Sequence, residues 1–340
     1  NKMTIALFIS ADRMLEEHAM LHRLVVGLMN ENMHVIRCLP KHIAEQFNST
    51  SHSAGLSEEF YFDMPCSFID RASRRRDALY QMETHQVETM VAFGHNAEQL
   101  VLDVKKQLDI PVCVELTSLK QASRIKPSQA INAWLAPTRS VQREAATRVG
   151  DDRSVYAPIG TPKIALRDFE KSSVRCIIVL DSGGNYQQTE ALIKQCEHIE
   201  DIHLFLELPE KPKKRICQTI KSQHMEQRVT CLGNVSELRS LIPSADVLLL
   251  PNGEMPVRSI VLEAMSAGVP IVCASNSSYD ILIDEETALF VTESFDEQLL
   301  RLFNDKHISQ LIVNNAHTLI KDSYGSSKQI ASYEALFSLF

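Results

Sequence analysis

The sequence lacks the short signatures of several common site chemistries. Its eight cysteines form no Cys-x-x-Cys pair and its twelve histidines form no His-Glu-x-x-His motif, so the usual zinc sites have no support. It also has no P-loop and no Gly-x-Ser-x-Gly elbow. No run approaches the roughly 18 apolar residues of a membrane span. We expect a reducing cytoplasm, where buried thiols act as small apolar groups.

An excess of positive charge is also missing. The chain has 43 acidic and 35 basic residues and a formal charge of -8, so its overall balance gives no reason to expect nucleic acid as a partner. Its length of 340 residues favours two domains, each able to bury its own core. Hydrophobic residues at 44% are typical of a globular protein.

Short apolar runs alternate with amphipathic stretches along the whole chain, which predicts parallel sheets covered by helices on both faces. The first series is "MTIALFIS", "HVIRCLP", "ETMVAFG", "PVCVEL" and "AWLAPT". The second is "VRCIIVLDS", "IHLFLELP", "RVTCLG", "ADVLLLP", "GVPIVCAS" and "TALFVT". The segment "APIGTP" between the two has the composition of a linker, so we place a boundary near residues 157–165. We expect two doubly wound α/β domains facing a cleft.

The last stretch, "SSKQIASYEALFSLF", follows the strands of the second domain and carries apolar residues at helical spacing. Such a face needs a surface to cover it. We therefore expect a helix that crosses back to the first domain. The expected limits are 1–158 for the first domain, 165–322 for the second and 323–340 for the crossing helix.

Two glutamates mark the run "PNGEMPVRSIVLEAMSAGVPIVCAS", which follows the strand-like "ADVLLL". With its flanks, over about residues 228–292, this run resembles the C-terminal domain of retaining glycosyltransferases of family four, also called group 1. That family has the GT-B fold of two Rossmann-like domains. The resemblance implies that Glu254 contacts the donor sugar and that Glu263 binds the ribose of the nucleotide. Carboxylates suit this role because they accept strong hydrogen bonds from vicinal hydroxyls.

An alternative interpretation is that Glu254 and Glu263 are solvated charges that favour the helix dipole. The small residues Ala264, Ala267 and Gly268 favour close packing of helix and strand instead. The family has seven residues between its two glutamates, whereas here there are eight, so its first glutamate aligns with Met255. Either the loop absorbs one residue and Glu254 still reaches the sugar, or that contact is lost.

The resemblance assigns further positions to the site. It places the backbone of Gly233, Asn234 and Val235 beside the base. It forms the donor loop from Met255, Pro256 and Val257, and it places the hydroxyls of Ser277 and Ser278 near the sugar or phosphate. In the first domain, His95 matches a histidine that follows a family strand, and it either lines the cleft or is a cap. Thr117 stands where the family often has another histidine.

Other family features are absent. The first strand is followed by "ISADRMLEEHAM", without the family's glycine-rich turn. In "VLDSGGNYQQTE", Ser182 stands near the family's diphosphate-binding arginine, and Gln187 or Gln188 stands near its lysine. These side chains carry no fixed positive charge for a departing diphosphate. Gly183 and Gly184 offer backbone N–H groups to a phosphate, or form only a turn.

The leading hypothesis is a transferase that moves a sugar from a nucleotide-diphosphate sugar to a glycan, lipid or small-molecule acceptor with retention. It implies no metal and no cofactor beyond the nucleotide sugar itself. The alternative is a catalytically impaired, glycosyltransferase-like binding or scaffold protein, and a sugar-nucleotide epimerase has less support. The basic run "RASRRRDALY" is either a solvated face or a contact for an anionic acceptor or a membrane surface.

Overall fold

The computed structural model describes residues 2–43, 57–62, 70–166, 173–180, 186–208, 213–275 and 278–340. The chain forms two compact units. Unit 1 comprises Asn1–Gly160 and Ser326–Phe340, and unit 2 comprises Thr161–Gly325. The limits expected at residues 158, 165 and 323 lie a few residues from these divisions.

Unit 1 is built on a sheet of seven parallel strands in the order β3-β2-β1-β4-β5-β6-β7. The strands are β1 Thr4–Ile9, β2 His34–Pro40, β3 Glu58–Phe62, β4 Thr89–Phe93, β5 Val112–Glu115, β6 Ala133–Ala136 and β7 Ser154–Tyr156. The helices between them are α1 Ala11–Asn30, α2 Asp70–Thr84, α3 His95–Lys105, α4 Leu119–Ser123 and α5 Arg139–Val149. The central strands are buried on both faces, which explains their continuous apolar runs.

Unit 2 repeats the plan with six parallel strands in the order β10-β9-β8-β11-β12-β13. The strands are β8 Arg175–Val179, β9 Ile202–Glu207, β10 Val229–Leu232, β11 Val247–Leu250, β12 Ile271–Cys273 and β13 Leu289–Phe290. The helices are α6 Tyr186–Gln195, α7 Lys213–Ser222, α8 Val235–Leu241, α9 Ser259–Ala267, α10 Phe295–Asn304 and α11 Lys306–Ser323. Two doubly wound domains were expected, and this prediction is confirmed.

The strand order reverses once in each sheet, between β1 and β4 in unit 1 and between β8 and β11 in unit 2. Helices leave the two flanking strands on opposite faces at such a point, so a crevice opens beyond the carboxyl ends of the strands. Ligands of open α/β sheets bind there. The loop after β11 therefore begins at the position where a ligand is expected in unit 2.

The described helices include none that is both long and apolar enough to cross a membrane. Seven cysteines lie in the described residues, and all of them are free thiols. Burial raises the pKa of Cys113 and Cys196 to about 12, so these thiols stay protonated and act as apolar side chains. Cys66 lies outside the described residues.

The last helix, α12 Ser326–Phe337, follows unit 2 in the chain but packs against α1 within unit 1. Tyr333 stacks on Phe93 with ring centroids 6.5 Å apart. Gly27 of α1 allows the close approach of the two helices, because a Cβ built there would lie 2.5 Å from Ile330 Cγ1. A side chain at position 27 would collide with α12.

We predict that Gly27→Ala destabilises the protein although alanine is the better helix former by about 1 kcal/mol. Overpacking at a tight helix contact costs about 1–3 kcal/mol, which exceeds that gain. In an Ile330→Ala background the obstacle is gone, so the same change at Gly27 should be neutral or stabilising. Urea unfolding of the two single variants and the double variant measures both effects. An equal loss in both backgrounds would contradict the contact.

Candidate functional site

The loop after β11 turns outward at Glu254 and inward at Met255. Asn252 is buried and its side-chain oxygen accepts a hydrogen bond from the Glu254 backbone N–H at 3.0 Å, which forms a tight turn. Glu254 is exposed, whereas Met255 has no exposed surface. Of the two positions considered for the first carboxylate, the glutamate therefore lies at the surface and the aligned methionine lies in the core.

The loop ends on a buried arginine that begins helix α9. Arg258 is 2% exposed, and its two terminal nitrogens donate to the two carboxylate oxygens of Glu207 at 2.7 Å each. A cation at a helix N-terminus is unfavourable because of the helix dipole. The bidentate pair with Glu207, the last residue of β9, offsets this cost and attaches the start of α9 to the carboxyl edge of the sheet.

Tyr279 holds the same loop from a second side. Its hydroxyl donates to the Pro256 carbonyl at 2.7 Å and accepts from the Arg258 backbone N–H at 2.8 Å. The ring is 1% exposed, and the neighbouring Ser278 is buried as well. Val257 is also in the core. The backbone of residues 256–258 is thus fixed by interior contacts.

Glu263 lies on the second turn of α9, and only 5% of it is exposed. It forms an ion pair with Arg239 from α8, and Arg239 Nη2 donates to Ser259 Oγ at 3.1 Å. Every residue of α9 is buried. The alternative that Glu263 is a solvated helix-dipole charge is therefore wrong, because the carboxylate is enclosed and has a protein partner.

The turn between β10 and α8 contains the positions predicted beside the base. Asn234 caps α8 through its side-chain oxygen, which accepts from the Ser236 backbone N–H at 2.8 Å. Gly233 and Asn234 are exposed, whereas Val235 is in the core. Only the first two present backbone to solvent.

The two predicted positions in unit 1 make local contacts. His95 is the exposed first residue of α3, and the Gln99 amide donates to its Nε2 at 2.9 Å. Thr117 donates to Gln121 Oε1 from its backbone N–H at 2.8 Å and from its hydroxyl at 3.1 Å. Both follow strands at the carboxyl edge of the sheet of unit 1. Their predicted roles stay predictions.

The glycine-free turn after β1 is filled by the protein itself. Arg13 is 4% exposed and donates to both oxygens of Glu115, at 2.8 and 2.6 Å. Burial raises the pKa of the Glu115 carboxyl, and the guanidinium opposes that rise. Gly94 has φ +90°, and a Cβ there would lie 2.8 Å from Ser10 Cβ. Among the described residues of unit 1, the Arg13–Glu115 pair and Ser10 thus occupy the space beside this turn.

Four predicted positions, Ser182, Gly183, Gly184 and Ser277, lie outside the described residues. Gln187 is exposed on the first turn of α6, and the half-buried Gln188 follows it. In the basic run of α2, Arg74 is buried, whereas Arg71 is exposed and pairs with Asp103 at 2.9 Å, as expected of a solvated face balanced by nearby acids. Among the described side chains, no three His, Cys, Asp or Glu converge as a metal ion requires.

Sequence reasoning missed the residues that hold the site: Arg239, Arg258, Glu207 and Tyr279. One signal was present for Arg258, which is the single basic residue in the apolar run "VRSIVLEAM". An arginine in such a run indicates a buried ion pair. No signal in the sequence joins Arg239 to Glu263, because their partnership depends on how α8 and α9 pack.

Residues 179–305, which include β11, α9 and both glutamates, match the family model "Glycosyl transferases group 1". The chain carries a glycosyltransferase group 1 domain. The chain is 24% identical over 127 residues to N-acetyl-alpha-D-glucosaminyl L-malate synthase from Bacillus anthracis. That match covers 36% of this chain and 33% of the relative, so the chain spans about a third of the relative's length.

Solved structures match the whole chain. Sucrose-phosphate synthase from Thermosynechococcus elongatus has a TM-score of 0.77 and 14% identity, with all of both chains covered. Anabaena HepE in complex with UDP and glucose has a TM-score of 0.76 and 12% identity, with 99% of this chain and 100% of that chain covered. At such low identity these matches show the fold, which is GT-B.

We predict that Tyr279→Phe lowers the stability of the group 1 domain by about 1–3 kcal/mol, because the Arg258 N–H and the Pro256 carbonyl lose a shared buried partner. Tyr80→Phe is a matched control, since Tyr80 is 64% exposed. Thermal unfolding of both variants measures the difference. Equal melting temperatures would mean that the hydroxyl does not hold the loop.

Proposed function

We propose that the protein is a glycosyltransferase that takes a sugar from a nucleoside-diphosphate sugar and transfers it, with retention, to an acceptor. One observation carries the proposal. Within the segment that matches the group 1 family, the exposed Glu254 lies on the loop that follows strand β11, and the buried Glu263 lies on the helix after that loop. This is the place where an open α/β sheet presents its ligand site.

In this proposal the nucleoside lies over α8 and α9. Glu263 accepts hydrogen bonds from the two ribose hydroxyls, and the exposed backbone of Gly233 and Asn234 lies beside the base. A carboxylate holds the ribose hydroxyls strongly, because hydrogen bonds to a charged acceptor are about twice as strong as neutral ones. HepE, which shares the fold, has been solved with UDP and glucose bound.

The donor sugar lies toward Glu254, whose surface position lets the carboxylate reach sugar hydroxyls. Cleavage of the bond between sugar and diphosphate leaves negative charge on the diphosphate, and stabilising that charge is the main electrostatic task of the site. The amides of Gly183 and Gly184 would serve it, with Ser182, Ser277 and Ser278 as neutral donors. The reaction needs no cofactor in this proposal, since the nucleotide sugar is itself the substrate.

A second candidate function is a binding or scaffold protein that keeps the pocket and has little turnover. It is favoured by the charge of the β8–α6 connection, since the sequence has no lysine or arginine between Arg175 and Lys194. Without a fixed cation there, the departing diphosphate is poorly neutralised. This candidate shares the nucleotide site with the transferase and differs from it in rate.

We propose a glycan, a lipid or a small molecule as the acceptor and a cytoplasmic location, in keeping with free thiols among the described residues. Peripheral contact with an anionic membrane would use the basic run of α2. Arg71 and Arg76 are exposed there, but Arg71 pairs with Asp103 and Arg74 is buried. Few charges are thus left for a lipid surface, and a soluble acceptor needs no such contact.

We predict that Glu263→Gln weakens binding of UDP by about 1–3 kcal/mol, the scale of a lost charge-assisted hydrogen bond. Glu254→Gln should weaken UDP-glucose and leave UDP unchanged. The exposed Glu237 on α8 provides a control, and Glu237→Gln should leave both affinities unchanged. Isothermal titration calorimetry measures each variant, after a panel of nucleotides has identified the preferred base. Equal loss of both ligands in Glu254→Gln would refute the division of roles.

We predict that the wild-type enzyme turns over slowly and that added charge accelerates it. Ser182→Arg combined with Gln188→Lys, or with Gln187→Lys, should strengthen UDP binding and raise donor hydrolysis. One charge-assisted contact counts for about 1.5–3 kcal/mol, which is a factor of about 10 to 100. Robust turnover by the wild type would show that the missing charge was never required. If neither the affinity for UDP nor the rate of donor hydrolysis changes, the result would favour the scaffold protein.

A further inference from the structure

Arg239 joins the two helices that carry the proposed nucleotide site. Its guanidinium lies on the last turn of α8 and contacts Ser259 and Glu263 on α9. We propose that Arg239 is a positioning residue for nucleoside binding: it holds the buried carboxylate of Glu263 in the orientation that receives the ribose hydroxyls. This inference rests on the proposed function of the site.

The geometry suits such a role. Ser259 and Glu263 are four positions apart on α9, so their side chains lie on the same face, one turn apart. A guanidinium is a rigid planar fork, and here one terminal nitrogen donates to the carboxylate while the other donates to the hydroxyl at 3.1 Å. The contact with Ser259 fixes the plane of the guanidinium. The plane in turn restricts the side-chain torsions of Glu263.

Charge gives a second reason. Glu263 is in the core, and an uncompensated carboxylate in such surroundings is strongly unfavourable. The side chain of Arg239 is 18% exposed and that of Glu263 is 7% exposed, so the pair lies at the margin of the core. A nucleoside diphosphate brings negative charge to this margin. With Arg239 in place the pair is neutral, and the carboxylate does not repel the ligand.

The position of Arg239 also connects the ribose side of the site with the base side. Helix α8 has only seven residues, and Asn234 caps its first turn. The exposed Gly233 and Asn234 thus stand at one end of a short rigid element and Arg239 at the other. A contact between Arg239 and α9 therefore fixes the base-side turn relative to Glu263.

Binding of uridine and of UDP by Arg239→Met, measured by calorimetry, tests the role. The change keeps the length of the side chain and removes its charge and donors. If Arg239 acts through Glu263, both ligands should lose affinity by the same factor, on the order of tenfold. Arg239→Lys should lie between wild type and Arg239→Met, because an ammonium can pair with the carboxylate but cannot reproduce the fork. Arg215→Met, which breaks an exposed pair with Glu190 in the same unit, is the control that should change neither affinity.

Two outcomes would overturn the proposal. A loss confined to UDP would make Arg239 a phosphate ligand instead of a positioning residue. Unchanged affinities with a lowered melting temperature would make the pair purely structural. The double variant Arg239→Met/Glu263→Gln supplies the decisive readout, because it should bind no more weakly than Glu263→Gln alone if Arg239 works only through that carboxylate. Additive losses would refute it.

Failure of the wider proposal is distinguishable from failure of this one. A wild-type protein that binds none of UDP, GDP, ADP and their nucleosides overturns the nucleotide site and the role of Arg239 with it. A wild type that binds uridine and UDP while Arg239→Met binds them equally well overturns the role alone. Urea unfolding of the four proteins in the cycle then reports whether Arg239 and Glu263 are coupled in the fold.

Discussion

A charged group in a protein core must be paired, and this constraint governs the carboxyl edges of both sheets. Three carboxylates lie there in enclosed positions: Glu115, Glu207 and Glu263. Each has an arginine partner from a different element of its own unit. Removing one partner of a buried pair costs about 3–5 kcal/mol, which is a large part of the stability of an ordinary domain, so the arginines matter for the fold as well as for any site. These ion pairs therefore fix the positions of the helices that carry the arginines.

The same dependence distinguishes Glu254 from Glu263, the two glutamates of the segment after β11. Glu254 is at the surface and can be replaced without disturbing the core, so its effect on function can be separated from its effect on folding. Glu263 cannot be separated in this way, since its removal leaves Arg239 without its carboxylate partner. The loop between them has a fixed backbone, which Arg258 and Tyr279 attach to β9 and to the segment after β12. Met255, which aligns with the first glutamate of the family, packs into the core.

The fold could be predicted from the sequence because its signals are local and repeated. Apolar strands such as β1 and β11 are continuous runs, and their alternation with helices implies a parallel sheet. Two strands were not anticipated: β3 carries two glutamates, and β7 has only three residues. The site could be predicted only in part. Glu263 was identified through a motif. Arg239 reaches Glu263, and Arg258 reaches Glu207, because elements far apart in sequence pack together, and no local sequence pattern records that packing.

The same constraint explains how a group 1 domain can lose motif residues and keep its shape. Two arginines at the edge of the unit 2 sheet are paired with carboxylates, Arg258 with Glu207 and Arg239 with Glu263. Each pair has no net charge. The sequence from residue 176 to 193 adds no cation. A nucleoside needs only hydrogen-bond acceptors and a surface for its base, and neutral pairs supply these without repulsion. A departing diphosphate needs net positive charge. In the proposed site, nucleoside binding would therefore depend on the paired arginines, whereas turnover would depend on the connection between β8 and α6.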